Sequence, residues 1–411
     1  MYEDIIIWYK KFLEEIKDEI LSRDLNFYET KSFIKVVIGP RRAGKTYFSL
    51  YHALKQYPCE RVMYLNFEDN RLVNFDFDLY LLEFQKLFGN PEAIILDEIQ
   101  NLKDWEKIAY RLHMKKHDVI VTGSNNDLLK KDIKNILGGR TLNIEVFPLT
   151  FKEYLRFKGF RLNKTSIYES KAELLNLFGD FLIYGSYPEI ALNPGIKEKI
   201  AQELFLTTFY RDIIKNVNVT EEVVKFMILK LVENIGSSFS FRSIHKRIKS
   251  FYGINLKTLI DLYDLIINSF LGISVTKYSK SVVKREVLKK FYFIDQSVLY
   301  INSFEIEKGK FLENLVAVEL FKSNKKFYYY KNIYECDFIV VDNNKLKAVQ
   351  ATYELNDSNR ERELKGLLKA MKELGITQGL ILTYDQEEEI DSDLGKITVL
   401  PVWKWLLMKN G

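Results

Sequence analysis

The sequence reads as a multidomain α/β protein. A parallel sheet with helices on both faces comes first, then a helical region, a helix–turn–helix with two strands, and a smaller second α/β unit. Three observations carry that reading. At 411 residues the chain exceeds what one ordinary core serves, so two or three domains are expected. Its 47% hydrophobic and 28% charged residues, with only 7 Pro and 19 Gly, allow sizeable cores and exclude disordered, collagenous and low-complexity classes. From residue 30 to 150, short β-branched runs alternate with longer amphipathic stretches, the pattern of a covered parallel sheet.

Taken in order, MYEDIIIWYKKFLEEIKDEI alternates apolar and charged residues at helical spacing and lacks the apolar core of a signal peptide. No stretch approaches the ~18 uncharged apolar residues of a membrane span, so a soluble, cytoplasmic protein with no membrane partner is expected. Strands are expected at 33–38, 62–67, 93–96, 119–122 and 142–146, giving a first domain over 1–150. Residues 151–235 read as a helical lid or connector, broken at Gly185, Pro188 and Pro194. In 236–300, SFRSIHKRIKSFYG is a helix, INLK a turn and TLIDLYDLIINSF a second helix, with Gly253 at the turn and Asn255 as N-cap. ISVTKYSKSVVKREVLKKFYFID then reads as a β-hairpin. The last domain, 301–411, has a helix at 309–321, strands at 327–330, 337–341 and 348–353, a helix at 360–374 and a strand at 379–384. Cys59 and Cys336, far apart and without CxxC spacing, point to a reducing compartment. His113 and His117 read as a solvated helix end.

Directly after the first strand stands Gly39-Pro40-Arg41-Arg42-Ala43-Gly44-Lys45-Thr46, an unbroken GxxxxGK[ST]. Its glycines let successive N–H groups face a polyphosphate, and the N-terminus of the helix that follows adds its positive dipole end, with Tyr47 counted among the nucleotide-binding residues. Lys45 would reach the β- and γ-phosphates and the Thr46 hydroxyl would bind Mg²⁺. AIILDEIQ supplies the partner acids: Asp97 for the Mg²⁺ shell and Glu98 to polarise an attacking water. The next strand ends in Ser124 and Asn125, placed to hydrogen-bond the γ-phosphate or water. Arg140, after Gly138-Gly139, is a candidate arginine finger for a neighbouring subunit of a homo-oligomer; a solvated loop arginine is the competing reading. Arg41 and Arg42 either contact phosphate or pair with Glu68 or Asp69.

GPRRAGKT, YLNFED, LDEIQNLKDWE, VTGSN, LGGR and FPLTFKEYL, in this order, resemble the AAA-type P-loop ATPases of archaea and bacteria that carry a carboxy-terminal domain of unassigned role. The resemblance continues through YGSYPEIAL, FYRDII, FYFIDQSVLY, FLENLVAVEL and YECDFIVV. It implies ATP binding and hydrolysis by Lys45, Thr46, Asp97 and Glu98, a central winged helix, and a terminal domain similar to restriction-nuclease folds.

The basic charge is local. The chain carries +5, but residues 236–300 alone carry +7 and the rest sums to −2. Lys277, Lys280, Lys284, Arg285, Lys289 and Lys290 cluster in the wing, where they could neutralise phosphates of double-stranded DNA. The second helix, with Asp261 and Asp264, is poor for base readout, and protein docking is the alternative use of such a module. In the last domain a metal nuclease would want a helix Glu, an Asp at a strand start, then Glu-x-Lys on the next strand. Glu313 and Asp337 fit; Gln350 and Thr352 replace the last pair, which argues for a retained fold without chemistry. Gln350 still offers a carbonyl oxygen, and Glu335 is read as lying on the opposite face of its strand from Asp337. The expected function is a Mg²⁺-dependent ATPase coupled to DNA, against a nucleotide-switched scaffold or an ATP-dependent nuclease.

Overall fold

The structure, a computed structural model, describes all residues except 1, 73–74, 125–136, 163–168, 280, 282–286 and 409–411. Asn125, Lys280, Lys284 and Arg285 therefore lie outside the described residues. The chain divides into two compact units, Met1–Pro148 and Leu149–Gly411. No described helix is long and apolar enough to cross a membrane.

In the first unit, α1 (Glu3–Ile16) buries Ile6, Tyr9 and Leu13, the one-face spacing of an amphipathic helix. Strands β1 (Ile34–Ile38), β2 (Val62–Asn66), β3 (Ala93–Asp97), β4 (Asp118–Gly123) and β5 (Thr141–Glu145) form one sheet in the order β2-β3-β4-β1-β5. Every pairing is parallel. All residues of β1, β3 and β4 are buried, as a sheet covered on both faces requires. Helices α2 (Lys45–Gln56), α3 (Phe77–Phe88) and α4 (Trp105–Met114) are the crossovers. The Asp76 side chain caps α3 by accepting from the Asp78 and Leu79 N–H groups. In parallel strands all C-terminal ends lie at one edge, so Gly39, Asp97, Glu98 and Ser124 converge there. His117 departs from expectation: α4 ends at Met114, and His117 is buried with Nδ1 2.7 Å from the Pro91 carbonyl oxygen.

The second unit starts with α5 (Phe151–Phe157), opened by a reciprocal capping box between Thr150 and Glu153. Helices α6 (Lys171–Tyr184), α7 (Pro188–Leu192), α8 (Lys197–Thr207) and α9 (Glu221–Glu233) follow. Pro188 is the first residue of α7, so it starts a helix as well as ending the preceding run. Next come α10 (Phe241–Tyr252) and α11 (Leu256–Asn268), with Gly253 at φ 66° between them and the Asn255 side chain accepting from the Thr258 N–H. Antiparallel β6 (Gly272–Thr276) and β7 (Lys289–Phe293) complete this segment, and Phe239 pairs with Lys289 beside them.

After α12 (Gln296–Asn302) and α13 (Lys308–Lys322), six strands form a mixed sheet: β8 (Lys326–Lys331), β9 (Glu335–Asp342), β10 (Lys345–Ala351), β11 (Gln378–Thr383), β12 (Glu388–Ser392) and β13 (Gly395–Pro401). Their order is β12-β13-β11-β10-β9-β8, with β10, β11 and β13 parallel. Helix α14 (Arg360–Leu374) crosses from β10 to β11 and buries Leu367, Ala370 and Met371 against Ile339, Ala348, Ile381 and Ile397. Helix α15 (Val402–Met408) closes the described chain.

Candidate functional site

The turn after β1 is built for close approach. Gly39 has φ 149°, and a Cβ there would lie 2.0 Å from the Val146 carbonyl oxygen. Arg42 at φ 58° and Gly44 at φ 95° put the loop through left-handed conformations before α2 begins. Arg23 ties down the far side, donating to the carbonyls of Ala43 at 2.9 Å and Phe147 at 2.8 Å. Within the loop, Lys45 Nζ donates to the carbonyls of Gly39 at 3.2 Å and Pro40 at 3.0 Å, and lies 3.8 Å from Glu98 Oε1. Arg41 pairs with Glu68 at 2.8 Å, whereas Asp69 pairs with Arg71. Ala43 is buried; Arg42 and Tyr47 are exposed.

The two acids have different surroundings. Asp97 is 1% exposed and accepts from Thr46 Oγ1 at 2.8 Å, Tyr64 OH at 2.9 Å and the Thr122 hydroxyl. Burial pushes its carboxyl up, opposed by the Thr122 hydrogen bond and reinforced by the Glu98 charge. Glu98 is backbone-strained at φ 50°, and its N–H donates to Thr122 Oγ1 at 3.1 Å. Its carboxylate accepts from Ser124 Oγ at 3.1 Å and Gln100 Nε2 at 2.5 Å. Burial works against its charge, yet the Lys45 ammonium, then Gln100, Arg41 and Ser124, outweigh burial and hold the carboxyl below its usual range. Thr46 and Asp97 offer adjacent hard oxygens, the donor chemistry that Mg²⁺ takes.

Thr122, Tyr64 and Gln100 were not singled out in the sequence. Thr122 had a readable signal: a polar residue closing an otherwise apolar strand beside the acid-bearing one. Arg140 is exposed immediately before β5, with its carbonyl accepting from the Ile34 N–H at 2.8 Å. That is the N-terminal edge of the sheet, about 16 Å along β1 from the phosphate loop at the usual strand rise. Arg140 therefore does not reach the phosphate loop of its own chain.

The last domain brings together Glu313 on α13, Asp337 on β9 and Gln350 on β10. Two residues depart from the sequence expectation there. Lys290, expected among the wing cations facing phosphate, has a side chain 0% exposed that lies 2.7 Å from Glu335, 3.1 Å from Glu313 and 3.6 Å from Asp337. Glu335, expected on the opposite face from Asp337, shares its face, because positions two apart on a strand point the same way, and Lys290 touches both. Of the remaining wing cations described, Lys277 and Lys289 are half-buried, with Lys289 5.7 Å from the Phe241 ring centroid. Among the described residues, no group of three or more His, Cys, Asp or Glu is arranged to hold a metal.

Comparison with known proteins places these features in a family. A family described as an AAA domain matches residues 31–155, and two described as domains of unknown function, DUF8612 and DUF4143, match 175–304 and 308–405. The uncharacterized protein MJ1544 of Methanocaldococcus jannaschii is 32% identical over 424 residues, covering 99% of this chain and 95% of that one. An uncharacterized protein of Haemophilus influenzae is 28% identical, covering 95% of this chain and 98% of its own. Among solved structures, the Walker-type ATPase PABY2304 of Pyrococcus abyssi is similar at 12% identity and a TM-score of 0.40, covering 72% of this chain and 94% of that one. The chain belongs to the family of MJ1544, and it joins an AAA-type ATPase domain to the two further domains that the family descriptions leave without a function.

Proposed function

We propose that this protein is a Mg²⁺-dependent ATP hydrolase. The observation that carries the reading is the division of labour between neighbouring acids: Asp97 enclosed by three hydroxyls, Glu98 kept ionised beside Lys45 and Ser124. In this reading the loop N–H groups and Lys45 bind the phosphates, and Thr46 with Asp97 would hold Mg²⁺, which would supply charge neutralisation. Glu98 orients the attacking water and takes its proton, while Ser124 fixes the carboxylate. Asn125 stays assigned to γ-phosphate sensing on sequence grounds. Arg140 is assigned to a neighbouring subunit's site in a homo-oligomer on sequence grounds; its distance from its own loop bears only against a role within the same chain. Glu98→Gln is expected to abolish turnover while ATP binding persists, read by phosphate release and by equilibrium nucleotide binding. Normal phosphate release from that variant would remove Glu98 from the mechanism.

A second element of the proposal is contact with the phosphate backbone of double-stranded DNA by the winged-helix segment 236–300. With Lys290 buried, the supporting surface shifts from the hairpin to α10, whose exposed face carries Arg242, Lys246, Arg247 and Lys249 without an acid. Lys246 and Arg247 line an open groove with Lys230 and Phe251, the latter 77% exposed. Cations beside an exposed ring suit sequence-tolerant phosphate contact. Duplex DNA is expected to raise the ATPase rate, and the effect should fall steeply between low and moderate salt as counterion release demands. A rate indifferent to DNA at both salt concentrations favours the nucleotide-switched scaffold instead.

A further inference from the structure

The carboxylate cluster of the last domain is where a nuclease-like fold would hold a divalent ion, and the residues present do not fit one. Lys290 Nζ stands among Glu313, Glu335 and Asp337, the place such an ion would take. The carboxylates have further partners. Glu313 Oε1, the oxygen that also meets Lys290, accepts from Tyr292 OH at 2.7 Å, and Glu335 Oε2 pairs with Lys331 at 2.7 Å. Asp337 Oδ2 accepts from the Ala351 N–H at 2.9 Å. The Gln350 carbonyl that might have served a metal accepts from the Asp337 N–H at 3.2 Å, and its amide donates to Glu363 at 2.7 Å. Space is equally short: Gly236 has φ 73°, and a Cβ there would lie 2.5 Å from Glu313 Oε2.

Lys290 and Tyr292 both come from β7, two residues apart and so on one face of that strand. Burial opposes the charge of Lys290, but Glu313 and then Tyr292, Asp337 and Glu335 outweigh burial and keep it protonated. Asp337 is pushed up by burial and by the Glu313 charge.

We infer that Lys290 is the resident cation of this cluster, which is a metal-free ion-pair centre fastening the β6–β7 hairpin to the C-terminal sheet. An ammonium in this position excludes a divalent ion electrostatically and sterically, so the cluster couples two modules and does no hydrolysis. The inference does not depend on the ATPase reading, and nucleotide is left out of its test. Melting of the full-length protein is followed in EDTA and in millimolar Mn²⁺ for wild type, Asp337→Asn and Lys290→Met. Mn²⁺ is expected to shift wild type and Asp337→Asn alike, because any Mn²⁺ they take sits elsewhere. Lys290→Met should melt about 5–10 °C lower in EDTA, since it leaves buried carboxylates uncompensated, and should recover part of that loss in Mn²⁺. A Mn²⁺ stabilisation of wild type that Asp337→Asn lacks would overturn the inference, as would wild-type melting of Lys290→Met in EDTA. Should Lys290→Met not fold, Mn²⁺ binding to wild type and Asp337→Asn, read by electron paramagnetic resonance, still decides it. Equal stoichiometry supports the ion-pair centre, and an extra Mn²⁺ in wild type overturns it.

Discussion

Lys45 and Lys290 both stand among carboxylates close to strand ends, yet their surroundings differ in kind. Lys45 donates to main-chain carbonyls of its own loop and lies 3.8 Å from a carboxylate oxygen of Glu98. Lys290 has contacts of 2.7 to 3.6 Å to three carboxylates. Carbonyl contacts can be exchanged for a phosphate without leaving an uncompensated charge, whereas withdrawing Lys290 would expose buried carboxylates to one another. The first arrangement suits a group that must meet a ligand; the second suits a group that must stay. Proximity of lysine to acid therefore says little about chemistry until the other partners of each are counted.

The largest effect that can break this comparison comes from removing each lysine in turn. Lys45→Ala should lose ATP binding and reduce turnover by about 10³-fold or more, while melting changes by no more than a few degrees. Lys290→Met should do the reverse below its melting point, lowering stability with ATPase activity within about twofold of wild type. Nucleotide binding by titration, phosphate release and calorimetry on both variants check the pair. Equal loss of activity in both would mean the clusters are not functionally separate.

A smaller effect sharpens the account of the first cluster. The Thr122 hydroxyl bonds Asp97 and also accepts from the Glu98 N–H, so one side chain sets both acids. Thr122→Val keeps the shape but leaves both groups unsatisfied. Turnover should fall about 10- to 100-fold with ATP affinity within a few-fold, and Thr122→Ser should restore most of it. A Thr122→Val enzyme with wild-type turnover would show that the strained Glu98 backbone holds its position unaided.

What could be read from the sequence follows the range of the interactions. The five parallel strands are legible to within a residue or two: β1 to β4 are largely apolar runs bounded by turns, and β5, TLNIE, alternates apolar and polar residues. Lys45, Thr46, Asp97 and Glu98 were legible because each belongs to a contiguous motif whose spacing carries its geometry. Lys290 was not: it follows Lys289 in a basic stretch, and its partners Glu313, Glu335 and Asp337 are brought to it only by α13 and β9. Local composition there argued for a solvated cation, and tertiary packing overrode it. Strand β12 is illegible for a related reason, since EEEIDSD is acidic and largely exposed and pairs along a sheet edge, whereas β13, GKITVLP, carries an alternating apolar signal that the sequence reading does not use.

A third buried lysine isolates what carboxylates contribute, and its effect is the smallest of these. Lys10 donates to the carbonyls of Cys59 at 2.5 Å and Val62 at 2.7 Å and lies 4.9 Å from the Phe84 ring centroid. Burial lowers its pKa to about 8, only partly offset by Cys59, Glu60 and Glu14, whereas the acids around Lys290 raise that one. The sign follows from proton binding. Between about pH 8 and the ordinary lysine value of 10.5, the unfolded chain holds a proton that folded Lys10 does not, so stability rises with pH across that window. Comparison with Lys10→Met cancels groups that both proteins share. The wild-type protein should gain about 1 to 3 kcal/mol relative to the variant as pH rises from 8 to 10.5, read by denaturant unfolding. A flat difference would mean that this carbonyl-lined site holds the buried ammonium as firmly as water does, and the contrast drawn between carbonyl and carboxylate surroundings would weaken.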